Sequence, residues 1–170
     1  MKKENPLRAI QLEKVTLNIG SGPTPENVEK AVKLLNKITG KKVIKSATQK
    51  RVAAWGLRPG LIIGARVTLR GPSAAALLKR LLKAVDNKLS RSCFVRNGFS
   101  FGIKEYFDIP DVEYDPAIGI IGLGVHITLQ RPGVRIKRRK IRNKSIPSVV
   151  QICGDDAATF AEKNFGVKVV

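Results

Sequence analysis

The feature that most narrows the folds open to this chain is a two-residue alternation of apolar and polar side chains, repeated in separate stretches. Residues 120–130 carry it longest: Ile121, Leu123, Val125, Ile127 and Leu129 alternate with Gly122, Gly124, His126, Thr128 and Gln130. Residues 61–70 set Ile63, Ala65, Val67 and Leu69 against Gly64, Arg66, Thr68 and Arg70. Residues 12–19 set Val15, Leu17 and Ile19 against Lys14, Thr16 and Asn18, and residues 99–105 point Phe99, Phe101 and Ile103 inward. Successive side chains of a strand leave opposite faces, so each stretch predicts a strand with one buried face.

Between these strands the period changes. Gly20-Ser21-Gly22-Pro23 breaks the first strand, Thr24 is placed to N-cap a helix, and Pro25 suits its first position. Val28, Ala31, Val32, Leu35 and Ile38 form that helix's apolar stripe, Lys30, Lys33 and Lys37 lie off it, and Gly40 stops it. A short strand at 42–45 leads through the polar residues 46–51 to a loop at 55–60. Leu77, Leu78, Leu81 and Leu82 give the core face of a second helix over 74–85, with Lys79, Arg80 and Lys83 facing out. Residues 87–97 read as irregular or mixed, and a last helix starts near Asp155 with Phe160 inward. The order βαββαβββα is not strictly alternating. It predicts an α+β fold, a single domain over 1–170 with a largely antiparallel sheet. Helices pack on one face, the other face stays open, and a basic loop or arm occupies 131–150.

The charge is lopsided as well as large: Lys and Arg number 32 against 13 acids, a net charge of +19. From 30 to 85 there are 14 basic residues and no acid, and eight more basic residues crowd between 131 and 144. A field this one-sided is retained for a polyanionic partner. The hydrophobic fraction of 43% supports a core rather than disorder. No apolar run is long enough for a bilayer, and the opening residues lack the apolar segment of a signal peptide. Cys93 and Cys153 stand far apart, which fits a reducing cytoplasm and predicts neither a zinc site nor a disulfide framework.

The uncovered sheet face is then Lys14, Thr16, Asn18, Arg66, Thr68, Arg70, His126, Thr128 and Gln130, with glycines keeping it low. Arginines meet phosphates bidentately, while Asn, Thr and Gln reach 2′-hydroxyls and base edges in a shallow groove. None of these residues is Phe, Trp or Tyr, which favours folded RNA over a stacked single strand. The sole histidine, His126, has no partner for nucleophilic or acid–base chemistry. Asp108, Asp111, Glu113 and Asp115 lack metal-ligand spacing. The glycines at 119, 122 and 124 sit inside a strand, and Gly20-Ser21-Gly22 lacks the rest of a nucleotide motif. No enzyme, cofactor, metal, membrane or small-molecule substrate is expected.

Several ordered blocks carry a resemblance. Val15-Thr16-Leu17-Asn18-Ile19-Gly20, Trp55-Gly56-Leu57-Arg58-Pro59-Gly60, Ile63-Gly64-Ala65-Arg66-Val67-Thr68-Leu69-Arg70-Gly71, Phe99-Ser100-Phe101-Gly102-Ile103-Lys104-Glu105 and Tyr114-Asp115-Pro116 resemble the fifth ribosomal protein family of the large subunit. Lys3-Glu4-Asn5-Pro6, Ile118-Gly119-Ile120 and Arg131-Pro132-Gly133 are similar to its archaeal and eukaryotic branch. The resemblance implies a cytoplasmic structural protein of the ribosome's central protuberance that binds 5S rRNA and anchors it to large-subunit rRNA. It implies further contacts with peptidyl-site tRNA, with a small-subunit head protein through an intersubunit bridge formed by later loops, and with neighbouring ribosomal proteins. With the derived face, the expected rRNA-binding set is Lys14, Thr16, Asn18, Lys45, Thr48, Lys50, Arg51, Arg66, Thr68 and Arg70. The expected tRNA-contact loop is Trp55, Gly56, Leu57, Arg58, Pro59 and Gly60, with Arg58 as phosphate contact. Residues 134–150 depart from the family pattern. Their basic side chains Arg135, Lys137, Arg138, Arg139, Lys140 and Arg142 suit 23S rRNA, 5S rRNA or the bridge.

Overall fold

A computed structural model describes residues 5–170, so Lys3 and Glu4 of the opening block lie outside the described residues. The alternating stretches become strands. They are β1 (Gln11–Gly20), β3 (Ile62–Leu69), β6 (Gly98–Ile103) and β7 (Leu123–Gln130), joined by the short β2 (Ile44–Ala47) and β5 (Phe94–Val95). They form one six-stranded sheet in the order β2-β3-β1-β7-β6-β5, with every pairing antiparallel. Two differences from the sequence reading stand out. The second strand runs two residues later than 42–45, and residues 120–122 stay outside β7, leaving Ile120 68% exposed. The mixed segment supplies β4 (Lys88–Leu89), which pairs in parallel with β8 (Lys168–Val169) near the C-terminus.

Helices α1 (Pro25–Thr39), α2 (Pro72–Lys83) and α4 (Gly154–Phe165) cover the apolar face of the sheet; a one-turn helix, α3 (Arg135–Arg138), lies in the basic arm. Thr24 takes the N-cap position of α1 in extended conformation, but its hydroxyl makes no cap bond; Gly40 ends the helix in the left-handed region at φ 60°. The core of α1 is Val28, Ala31, Leu34, Leu35 and Ile38; Leu34 is fully buried, whereas Val32 is only half-buried. In α4 the buried positions are Ala157 and Ala161, and Phe160 packs at the margin against Phe165. Cross-strand layers complete the core. Leu69, Val15, Ile127 and Phe99 form one layer in register, and Val67, Leu17, Val125 and Phe101 form the next. Burying such layers stabilises the fold by about 25 cal/mol per Å² of apolar surface removed from water.

Candidate nucleic-acid interface

Register partners in an antiparallel sheet share a face, so the pairing that builds the core also builds the opposite surface. One row across β2, β3, β1, β7 and β6 reads Ile44, Arg66, Asn18, Gly124 and Gly102. The next, from β3 to β6, reads Thr68, Thr16, His126 and Ser100. A third holds Lys14, Thr128 and Gly98. Asn18, Arg66, Thr68 and His126 are exposed, while Lys14, Thr16, Ser100 and Thr128 are half-buried. The Thr16 and Thr68 hydroxyls lie 3.4 Å apart. Ser100 and Gly102 join the surface although the sequence reading did not name them; the inward alternation of Phe99, Phe101 and Ile103 already implied it.

The rows contain no carboxylate, and the glycines lower one side of the surface. Gly102 has no atom within 4 Å of a would-be Cβ, so its row is open to solvent; at Gly124 the neighbour is the His126 ring, 3.5 Å away at Nε2. Gly64 and Gly98 do a different job. A Cβ at either would run into a backbone carbonyl of the adjacent strand, that of Ile19 or Ile127. What results is a low strip without carboxylates, flanked by Arg66 and Lys14, which suits the sugar and phosphate edge of folded RNA.

The structure separates some of the residues expected to act together. Lys45 pairs with Ala65, a core-face residue, so it projects to the helix side at the sheet edge, beside Pro23, Pro25, Val28 and Glu29. It does not join Asn18 and Arg66. Thr48 is engaged locally: its hydroxyl donates to the Lys50 carbonyl and accepts from the Lys50 N–H, both at 3.2 Å. Lys50 and Arg51 are exposed beside this turn.

The β2–β3 connection is an ordered extension of the hairpin. The Thr48 N–H donates to the Leu61 carbonyl (2.8 Å) and the Gly60 N–H to the Thr48 carbonyl (2.9 Å). Val52 and Leu57 then form a bridge around a 3-10 turn, Ala53–Trp55, and Gly56 reverses the chain at φ 64°. At this tip the Trp55 ring is 71% exposed, with Arg58 alongside in sequence. The hairpin thus holds a large aromatic side chain out of the core, at its tip.

The basic arm is docked rather than loose. Glu13 is the one buried charged residue among those described, with its side chain 3% exposed. It sits where the β1–β7 register slips between Leu12 and Lys14, a bulge that leaves it unpaired with β7. Arg138 of α3 donates to both its carboxylate oxygens, at 2.6 and 2.9 Å, and Arg70 at the end of β3 donates to Oε1 at 3.1 Å. The Arg138 bonds, aided by Arg70, hold the Glu13 carboxyl down at about 2, against the pull of burial. Arg138 and Arg70 were expected among the free cations of the arm and the face; both are partly committed to this carboxylate. Arg135, Lys137, Arg139, Lys140 and Arg142 remain exposed.

A separate acid-bearing loop follows β6. Tyr106, fully buried, accepts the Asp115 N–H at 2.7 Å. Lys37 of α1 donates to the Glu113 carbonyl (3.1 Å), and Arg80 of α2 donates to that of Pro110 (3.0 Å) and lies 3.5 Å from Asp111. Lys37, read as lying off the apolar stripe, and Arg80, read as facing out, thus hold this loop. Phe107 and Tyr114 stack edge to face on it, both partly exposed.

With this geometry in view, comparison with known proteins is specific. Residues 5–58 match the family described as Ribosomal protein L5, and residues 62–148 match the model of that ribosomal family's C-terminus. The chain is 45% identical to large ribosomal subunit protein uL5 of Nanoarchaeum equitans, covering 98% of this chain and 99% of that one. It is 42% identical to the uL5 of Sulfolobus acidocaldarius over 99% of this chain and 96% of the relative, and 43% identical to that of Nitrosopumilus maritimus over 98% and 96%. These relatives are structural ribosomal proteins and not enzymes, and the chain belongs to their family, the uL5 proteins of the large ribosomal subunit.

Proposed function

We propose that this ribosomal protein binds 5S rRNA through the open sheet face and anchors it to the large-subunit rRNA. The observation that carries the reading is the acid-free face itself: Arg66, Asn18, Thr68, Thr16, His126 and Ser100 in two adjacent register rows, with glycines beside them. Arginine there neutralises phosphate, while the short polar groups lie low enough to reach 2′-hydroxyls. Lys50 and Arg51 extend the contact along the β2–β3 hairpin; Lys45 lies on the helix side and would meet a different strand of RNA.

The hairpin tip, with exposed Trp55 and Arg58, is the proposed contact to the elbow of peptidyl-site tRNA. The loop carrying Asp108, Asp111, Glu113 and Asp115 repels RNA and suits a basic protein, which supports the proposed intersubunit bridge to a small-subunit head protein.

The test is binding to 5S rRNA against an unrelated folded RNA of equal length across a salt series. Selective binding with a steep salt slope is expected, because several phosphates are neutralised together. Equal affinity for both RNAs would overturn the reading.

A further inference from the structure

The Glu13 site is hard to explain as stability alone. A buried carboxylate costs desolvation free energy, and an ion pair there is at best a weak source of net stability. Glu13 also places an acid beside the surface that the protein offers to a polyanion. What it does accomplish is geometric. Its bulge turns the carboxylate toward the third row of the open face, where Arg138 grips it through two parallel bonds. Arg138 is the last residue of α3, the one helical turn in the basic arm.

Around this contact the arm borders the end of β7. A groove of about 230 Å³ is walled by Thr128 and Gln130 of β7 on one side and Lys137 and Arg138 of the arm on the other. Beyond the latch the arm folds on itself: the Arg139 N–H donates to the Arg135 carbonyl (3.0 Å), Arg139 Nε donates to the Arg142 carbonyl (2.8 Å), and the Lys144 N–H donates to the Ile136 carbonyl (3.4 Å). No residue of α3 is fully buried; Ile136, 41% exposed, only lines a shallow apolar groove with Leu7, Pro132, Ile146, Pro147 and Val150.

We propose that Glu13 and Arg138 are positioning residues that lock the basic arm onto the end of the open face, so that arm and sheet present one continuous basic surface to a folded RNA. The proposal deepens the RNA-binding reading above and rests on it. Arg138 then acts as a strut. Arg135, Lys137, Arg139, Lys140 and Arg142 meet the phosphates, with their entropy of ordering already met before binding.

Glu13→Gln separates this from simple electrostatics, because the two make opposite predictions. Removing an acid from a basic surface should tighten RNA binding if charge alone counts. The latch requires that it weaken, by roughly three- to tenfold for both 5S rRNA and the unrelated RNA, since the arm's phosphate contacts are sequence-independent. Arg138→Lys, which keeps the charge but not the paired donors, should weaken binding similarly, with the melting transition showing that each variant is folded. Hydrogen exchange over residues 135–144, measured without RNA, should be faster in both variants. Unchanged arm exchange, or tighter RNA binding by Glu13→Gln, would overturn the proposal. Loss of 5S selectivity in the parent protein would instead strike the RNA reading and leave the exchange result standing.

Discussion

Asn18 and Arg66 are register partners between β1 and β3, and both side chains rise exposed from the open face. Gly124 continues their row on one side and Ile44 on the other. An amide and a guanidinium thus stand side by side on adjacent strands, about 5 Å apart at Cβ. The two groups differ in what they can read. Asn18→Ala should reduce discrimination between 5S rRNA and an unrelated RNA by about 1–3 kcal/mol, with little change in salt slope. Arg66→Gln should lower affinity for both RNAs and flatten the slope by about one charge. Selectivity unaffected by Asn18→Ala would remove Asn18 from the site.

The glycines of the face divide into two kinds that one substitution can tell apart. Gly98→Ala drives a Cβ against the Ile127 carbonyl and should destabilise the fold by about 1–3 kcal/mol through forced strand separation. Gly102→Ala meets open space and should leave the denaturation midpoint almost unchanged. It should nevertheless weaken RNA binding if the surface must stay low there. Chemical denaturation and a binding titration on both variants check this.

Glu13 makes stability depend on acid pH in a defined window. Arg138, then Arg70 and the nearby charge of Lys14, depress its carboxyl from an ordinary 4.5 to about 2 in the folded protein. The contribution is therefore fully present above about 4.5 and is lost as pH falls from there through about 2. Both arginines are more than half exposed, so solvent screening holds the effect to about 1–2 kcal/mol. Urea midpoints compared at pH 6 and pH 3 should show this loss in the parent and a smaller one in Arg138→Met.

Tyr106 ties the acid-bearing loop to the core through one hydroxyl. In Tyr106→Phe the Asp115 N–H loses its 2.7 Å acceptor, for a destabilisation of about 1–3 kcal/mol. The proposed RNA contacts of the sheet face lie elsewhere, so 5S rRNA affinity should persist. A fall in that affinity matching the loss of stability would show that loop and face are not independent.

Trp55 carries the reverse signature. Being 71% exposed, it should be replaceable by Ala with a change in stability within about 0.5 kcal/mol. Binding of the assembled large subunit to peptidyl-site tRNA is where the loss should appear.

Local pattern was enough for much of this molecule. Alternation in residues 14–19, 61–70 and 99–103 already separated a buried from an open face, because strand geometry makes that assignment within one segment. Charge segregation likewise named the class of partner without coordinates. The ends of elements were less legible. Residues 120–122 continue the alternation but leave the sheet, because hydrogen-bond pairing with a neighbouring strand, not side-chain pattern, decides where a strand begins.

Tertiary structure alone decided which strands are neighbours. Placing β1 between β3 and β7 brings Arg66, Asn18 and Gly124 into one row, although they lie far apart along the chain. It also put Lys45 on the wrong side to join them, through a register that no feature of residues 42–47 declares. Alternation alone would put Glu13 on the core face with Val15 and Leu17, where a carboxylate has no partner. Only the bulge that sets it aside from β7, and the arm that returns 125 residues later to meet it, make it the anchor of the basic arm. Pairing across such sequence distances is a property of the whole folded chain, whereas pattern and charge belong to each segment by itself.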